Sequence, residues 1–198
     1  LNELILKLPK RNLIIVDIPI GLEEKKHIRE CDIKAREFIG PRRHSIFAPP
    51  CKKASLQNDY ASANKLNKKI TSYGLSKQTW MINEKLKETQ KLIEKGYLLN
   101  EGHPECSFRE LKGDFLKFGK SGLLGFFERL NLVTNLGFDP ISLRKQLSHD
   151  IKAKPDDLLD SLILCWSASR HIEKKGIYLG LNKNSKKHND KNKSLILV

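Results

Sequence analysis

Apolar positions along this chain recur with two periods, and the alternation between them sets the expected order of elements. Leu13-Ile14-Ile15-Val16 is an unbroken run rich in β-branched residues, the pattern of a strand buried on both faces in a largely parallel sheet. Residues 1–8 read as the end of an amphipathic helix stopped by Pro9. Helical spacing holds over residues 23–39, where Gly40-Pro41 closes it, and residues 42–50 form a polar, proline-rich loop. Two more helical stretches, 58–70 and 76–94, meet at Tyr73-Gly74. Gly96 leads into a second strand over 97–101, and Pro104 opens a helix through Leu111. Residues 123–136 and 141–148 are helical again, Pro155 opens a strong last helix to 174, and 177–181 reads as an edge strand. No segment repeats, and strands alternate with helices. The expected fold class is α/β, in one domain.

Composition narrows the setting. The 198 residues are 39% hydrophobic with mean hydropathy −0.47, enough for one core on the polar side of the usual range. The most apolar stretch, 158–166, is broken by Asp160 and Ser161 and falls short of the roughly 18 residues a membrane span requires. No secretory pattern opens the chain, so a cytoplasmic protein is expected. Cys31, Cys51, Cys106 and Cys165 are widely spaced, without a CxxC pair, which reads as free thiols in a reducing compartment. Residue 1 is leucine, which reads as a fragment, a processed product or a non-standard start.

Charge adds a partner class. Lys and Arg number 37 against 23 Asp and Glu, a net charge of +14 that draws polyanions. A Lys-, Asn- and Ile-rich composition also arises from AT-biased coding alone. Five of the lysines fall in 182–193, so residues 182–198 are expected to be a disordered basic tail.

Candidate chemistry lies in three carboxylate groups. Asp17 follows the buried strand, at the carboxyl edge where open α/β sheets bind ligands. Glu101 and Glu105 flank the second strand's end with His103 between them. Asp156, Asp157 and Asp160 open the last helix, the latter two projecting to one side of it. Gathered acids suit Mg2+ or Mn2+, which take hard oxygen ligands and offset the repulsion between them. Each group also has a plainer reading. Acids in a first turn favour the helix dipole, Asp17 suits a turn before Pro19, and His103 suits a strand-end hydrogen bond. Arg36, Arg42 and Arg43 lie near Ser45 and Phe47 in a loop that either grips phosphate or is simply solvated. No GxxxxGK, GxGxxG, GxSxG or HExxH motif occurs.

In order, the blocks are Val16-Asp17-Ile18-Pro19-Ile20-Gly21-Leu22, Cys31-Asp32 with Ala35-Arg36, and Gly40-Pro41-Arg42-Arg43 with Ser45-Ile46-Phe47. Then come Gly74-Leu75-Ser76-Lys77-Gln78, Glu101 with His103-Pro104-Glu105 and Ser107-Phe108, and Pro155-Asp156-Asp157-Leu158-Leu159-Asp160-Ser161. Together they resemble the domain-of-unknown-function family 429, described as predicted nucleases of RNase H-like fold. The resemblance runs to about residue 181. It implies an RNase H-like mixed sheet flanked by helices, entered here after the N-terminal strand with which members begin. It implies metal-dependent hydrolysis of DNA or RNA phosphodiesters. Asp17, Glu105, Asp157 and Asp160 would be the catalytic and metal-binding acids, and Arg36, Arg42 and Arg43 the phosphate contacts. Where members often carry Glu-x-Asp late in the middle helix, this chain reads Glu88-Thr89-Gln90. The alternative is a catalytically degenerate domain of the same fold that binds nucleic acid without cutting it or serves as an interaction domain.

Overall fold

The computed structural model describes residues 2–10, 12–146, 153–180 and 194–198. Within them β1 (Ile14–Val16), β2 (Leu99–Gly102), β3 (Tyr178–Leu179) and β4 (Ile196–Leu197) form one mixed sheet in the order β1-β2-β4-β3. β1 and β2 run parallel with Ile14 opposite Leu99 and Val16 opposite Glu101. β4 is parallel to β2 and antiparallel to β3.

The helices are α1 (Asn2–Ile5), α2 (Glu30–Ile39), α3 (Lys52–Ser55), α4 (Tyr60–Thr71), α5 (Lys77–Met81), α6 (Asn83–Glu94), α7 (Pro104–Lys112), α8 (Leu123–Asn135), α9 (Pro140–Gln146) and α10 (Pro155–Ile172). A 3-10 turn, Gly40–Ser45, follows α2. None of the described helices is long and apolar enough to cross a membrane.

The pleat of β1 distributes its side chains between two helical layers. Ile14 and Val16 meet Leu86 of α6 on one face. Ile15 points to the other, towards Leu164 of α10. There Gly102 is the contact: a Cβ on it would stand 2.5 Å from Ile15 Cγ2 and 2.7 Å from Leu164 Cδ2. Glycine therefore lets α10 lie close against the sheet and fixes where Asp160 sits. Beyond the sheet, α7, α8 and α10 share a core of Phe108, Val133, Leu159 and Ile163. Each such side chain taken fully from water contributes about 1.5–3 kcal/mol. On the far side of the sheet order, α2 buries Cys31, Ala35 and Ile39 with Leu179 and Ile196.

Part of the loop expected over 42–50 is the 3-10 turn, α3 is not among the expected elements, and three larger differences follow. Residues 23–29 are not helical. Glu23 O accepts from Lys52 N at 2.9 Å, and Arg29 is extended, its side chain reaching back to Ile20 O at 2.8 Å. Residues 76–94 split at Ile82 into α5 and α6, and the buried Asn83 amide there donates to Ser55 O at 2.9 Å. Residues 194–198 are not part of a solvated tail. Ile196, Leu197 and Val198 are 1%, 1% and 0% exposed, because β4 fills the gap between β2 and β3. The rest of the expected tail, 182–193, and the end of the helix expected over 141–148 lie outside the described residues.

Candidate active site

Two sets of carboxylates meet at the carboxyl ends of the parallel strands β1 and β2. The first is centred on Arg29, 1% exposed at the start of α2. Its Nε and Nη2 donate to Asp32 at 2.8 and 2.5 Å, its Nη1 and Nη2 to the two oxygens of Glu101 at 2.6 Å each, and its Nη1 also to Ile20 O. Glu101 Oε2 accepts as well from Ile20 N at 2.6 Å. All five guanidinium hydrogens are used. Burial pushes the Glu101 carboxyl up, opposed by the charge of Arg29. The network ties the turn after β1 to the end of β2, so it sets the path of the chain leaving Asp17.

The second set contains the acids expected to carry chemistry. Asp17 leaves β1, Glu105 lies in the first turn of α7, and Asp160 faces them from α10. Glu105 is 5% exposed and held by Arg129 of α8, whose Nη2 donates to both its oxygens at 2.7 Å and whose Nε donates at 2.9 Å. Arg129 also donates to Gly125 O at 2.8 Å. Asp160, 9% exposed, accepts from Lys120 Nζ at 2.6 Å through Oδ2, while Oδ1 is buried with no hydrogen-bond partner among the described residues. Nδ1 of His103, which precedes α7, is likewise buried and unpartnered.

Asp17 is open to water but has much protein around it. Burial among those groups pushes its carboxyl up; His103 and Lys120 oppose the shift and Glu105 adds to it. Asp160 is raised for the same first reason, with Lys120 opposing and Asp17 and Glu105 adding. The three acids therefore lie within one another's field, and burial is the first cause of the rise at Asp17 and Asp160.

The remaining expected residues lie elsewhere. Asp157 Oδ2 accepts from Lys154 N at 2.9 Å and caps α10. Asp156 is 4.0 Å from Lys120 Nζ, at the margin of the same group. The three arginines diverge. Arg36 donates through Nε and Nη2 to Ile46 O at 3.0 and 2.7 Å. Arg43 lines a separate pocket. Arg42 lies against Gly119 with Nε and Nη2 buried and unpartnered among the described residues.

Sequence reasoning missed Lys120, Arg129 and Arg29. Lys120 sits in the loop before α8, and that loop is seated by Gly125, where a Cβ would stand 1.8 Å from Gly119 O. The one signal in the sequence is the pair Gly119 and Gly122 around Lys120, which marks a turn without saying where its lysine points.

A metal would find a partial donor set. Among the described residues no group of three or more His, Cys, Asp or Glu side chains is arranged to hold an ion. Both Glu105 oxygens are engaged by Arg129, but Asp17 is accessible and Asp160 Oδ1 is unsatisfied. Mg2+ is typically held by one or two carboxylates with water and substrate phosphate completing its shell, and Asp17 and Asp160 are the two carboxylates that would be left to offer it.

The chain belongs to the family described as Protein of unknown function (DUF429), whose model matches residues 1–182. No curated protein and no solved structure matches it.

Proposed function

We propose that this DUF429 member is a divalent-metal-dependent phosphodiesterase acting on nucleic acid, on an RNase H-like plan. The observation that carries the reading is the pairing of Asp17, accessible at the end of β1, with Asp160, buried and half-satisfied on α10. Asp17 and Asp160 hold the Mg2+ or Mn2+, which when bound supplies an activated water and neutralises charge on the scissile phosphate. Arg129 occupies both oxygens of Glu105 and fixes its position, so that Glu105 orients rather than binds. Lys120 leaves Asp160 to meet the substrate phosphate, for which its ammonium on an exposed loop is suited. The net charge of +14 brings the polyanion to the site.

A second reading, a non-cleaving nucleic-acid-binding domain, has its own support. Lys120 and Arg129 already neutralise two of the acids, so the group is stable in part without a cation.

The test is cleavage of labelled DNA and RNA oligonucleotides with Mn2+ or Mg2+. Cleavage should require the metal and fall by about 100-fold or more in Asp17→Asn and in Asp160→Asn, the scale on which a lost charge-stabilising group acts. Cleavage untouched by both substitutions would sink the proposal. Salt-sensitive binding indifferent to metal, with no cleavage, selects the second reading.

A further inference from the structure

A pocket of about 390 Å3 opens between the 3-10 turn Gly40–Ser45 and the residues leading into α5. Its chemistry is one-sided. Arg43, His27 and His44 line it together with Gln78, Ser76 and Phe47, and no carboxylate does. Arg43 and His44 are exposed, and neither forms an ion pair with an acid among the described residues. Among the described residues, four of the six buried or half-buried arginines behave otherwise: Arg29, Arg109, Arg129 and Arg170 each lie within ion-pair distance of a glutamate.

The wall of the pocket is built rather than loose. Arg36 clamps Ile46 O with two donors, which fixes the backbone beside Phe47. His27 stacks on Tyr73 with centroids 3.9 Å apart and planes 17° apart. Ser76 Oγ accepts from Thr79 N at 3.0 Å, so that rim is fixed as well. Phe47 keeps 44% of its surface in water although it stands on the pocket wall. A fixed cup with an unpaired guanidinium, imidazole donors, an open aromatic ring and an exposed amide suits a ligand with one anionic end and one flat ring. The volume lies at the low end of the roughly 300–1,000 Å3 of small-molecule sites, which limits the ligand to about one nucleotide.

We propose that this pocket binds a nucleoside monophosphate moiety, its phosphate on Arg43 and His44 and its base against Phe47. Guanidinium and imidazole donors match phosphate oxygens, and every base offers a face to an aromatic ring. The same chemistry is carried by a free mononucleotide and by the 5′-phosphorylated end of a strand. Arg43 faces the pocket, while its neighbour Arg42 packs on Gly119, beside the lysine that holds Asp160. The inference extends the nuclease reading and does not depend on cleavage.

Calorimetric titration of the full chain without divalent metal tests it, using adenosine 5′-monophosphate, adenosine, inorganic phosphate, and a short strand with a 5′-phosphate or a 5′-hydroxyl. The monophosphate should bind about tenfold or more tightly than adenosine or phosphate alone, and Arg43→Gln should remove most of that advantage. Phe47→Ala should weaken the monophosphate several-fold and leave inorganic phosphate unchanged, which separates stacking from charge. Both side chains are exposed, so folding of the variants is checked by circular dichroism and expected to be normal. A 5′-phosphorylated strand that outbinds the mononucleotide and the 5′-hydroxyl strand identifies a strand end as the source. Equal affinities for mononucleotide and phosphorylated strand identify the free nucleotide. Affinity that ignores the phosphate, or that survives Arg43→Gln, overturns the proposal. Inorganic phosphate binding as tightly as the monophosphate overturns the nucleotide assignment.

Discussion

The Arg29 network and the Asp17–Asp160 group stand at the same end of the same sheet and are built from the same residue types, yet they are finished differently. Around Arg29 every donor has an acceptor, and Glu101 has both oxygens occupied. Around Asp160 one oxygen is buried without a partner among the described residues, and Asp17 meets water with its carboxyl pushed up. A saturated buried network holds a fold together, whereas leaving a buried acceptor unsatisfied costs about 1–3 kcal/mol. Proteins retain such defects where a ligand removes them. The contrast marks the first cluster as structural and is the reason the proposed chemistry is placed at the second.

The strongest way to break that comparison is Arg29→Met. It leaves Glu101 and Asp32, 5% and 1% exposed, as buried acids without their cation. Removing one partner of a buried pair typically costs about 3–5 kcal/mol, and urea unfolding should register a loss of that size. A loss below about 1 kcal/mol would mean that the network is not holding the β1 turn to β2, and the assignment of structure to it would fail.

Gly102→Ala should have a middling effect and separates the clusters. The added methyl meets Ile15 and Leu164 below 3 Å, at 2.5 and 2.7 Å, and α10 must shift from the sheet or those side chains must turn. Overpacking of this kind costs about 1–3 kcal/mol. Asp160 travels with α10, while Arg29, Asp32 and Glu101 do not. Any stabilisation by Mn2+, read as a rise in melting temperature, should therefore fall in Gly102→Ala more than stability itself does. An unchanged response to Mn2+ would show that the spacing of α10 and β1 does not matter to the acids.

Much of this arrangement is legible in sequence, and the rest is not for identifiable reasons. The run Leu13 to Val16 announces β1, and Pro104 and Pro155 announce α7 and α10, because those signals are local. Asp17 is found for the same reason: it is the first polar residue after a buried run. The fates of Glu101 and Glu105 are not local. They sit four positions apart, yet one is claimed by Arg29, 72 residues away, and the other by Arg129, 24 residues away. Lys120 reaches Asp160 across 40 residues. Nothing periodic marks such partners. β4 escapes because two residues after a polar stretch show no pattern, and its strand state comes from the gap between β2 and β3. The non-helical path of 23–29 likewise depends on Arg29 turning back to Ile20.

Asp17→Asn should have the smallest effect on stability and is informative through its sign. The Asp17 carboxyl ordinarily titrates at 3.8 and is raised in the folded protein, chiefly by burial. The stability belonging to its protonated form is complete below 3.8 and is lost as pH rises through the folded value. Wild-type protein should therefore be slightly less stable than Asp17→Asn at neutral pH, and the two should converge as pH falls towards the ordinary carboxylate range. Because the group is open to water the gain should stay within about 0.5 kcal/mol, as for other accessible positions. Thermal melts of both proteins at neutral and acid pH measure it. The Arg29 cluster offers the reverse case, since removing charge there destabilises at neutral pH. Mn2+ or Mg2+ should close the gap at Asp17 by stabilising wild type alone, because an ion bound only by the folded carboxylate shifts the equilibrium by mass action. A variant less stable than wild type at neutral pH, with no response to metal in either, would place Asp17 with the structural acids and dissolve the distinction between the two clusters.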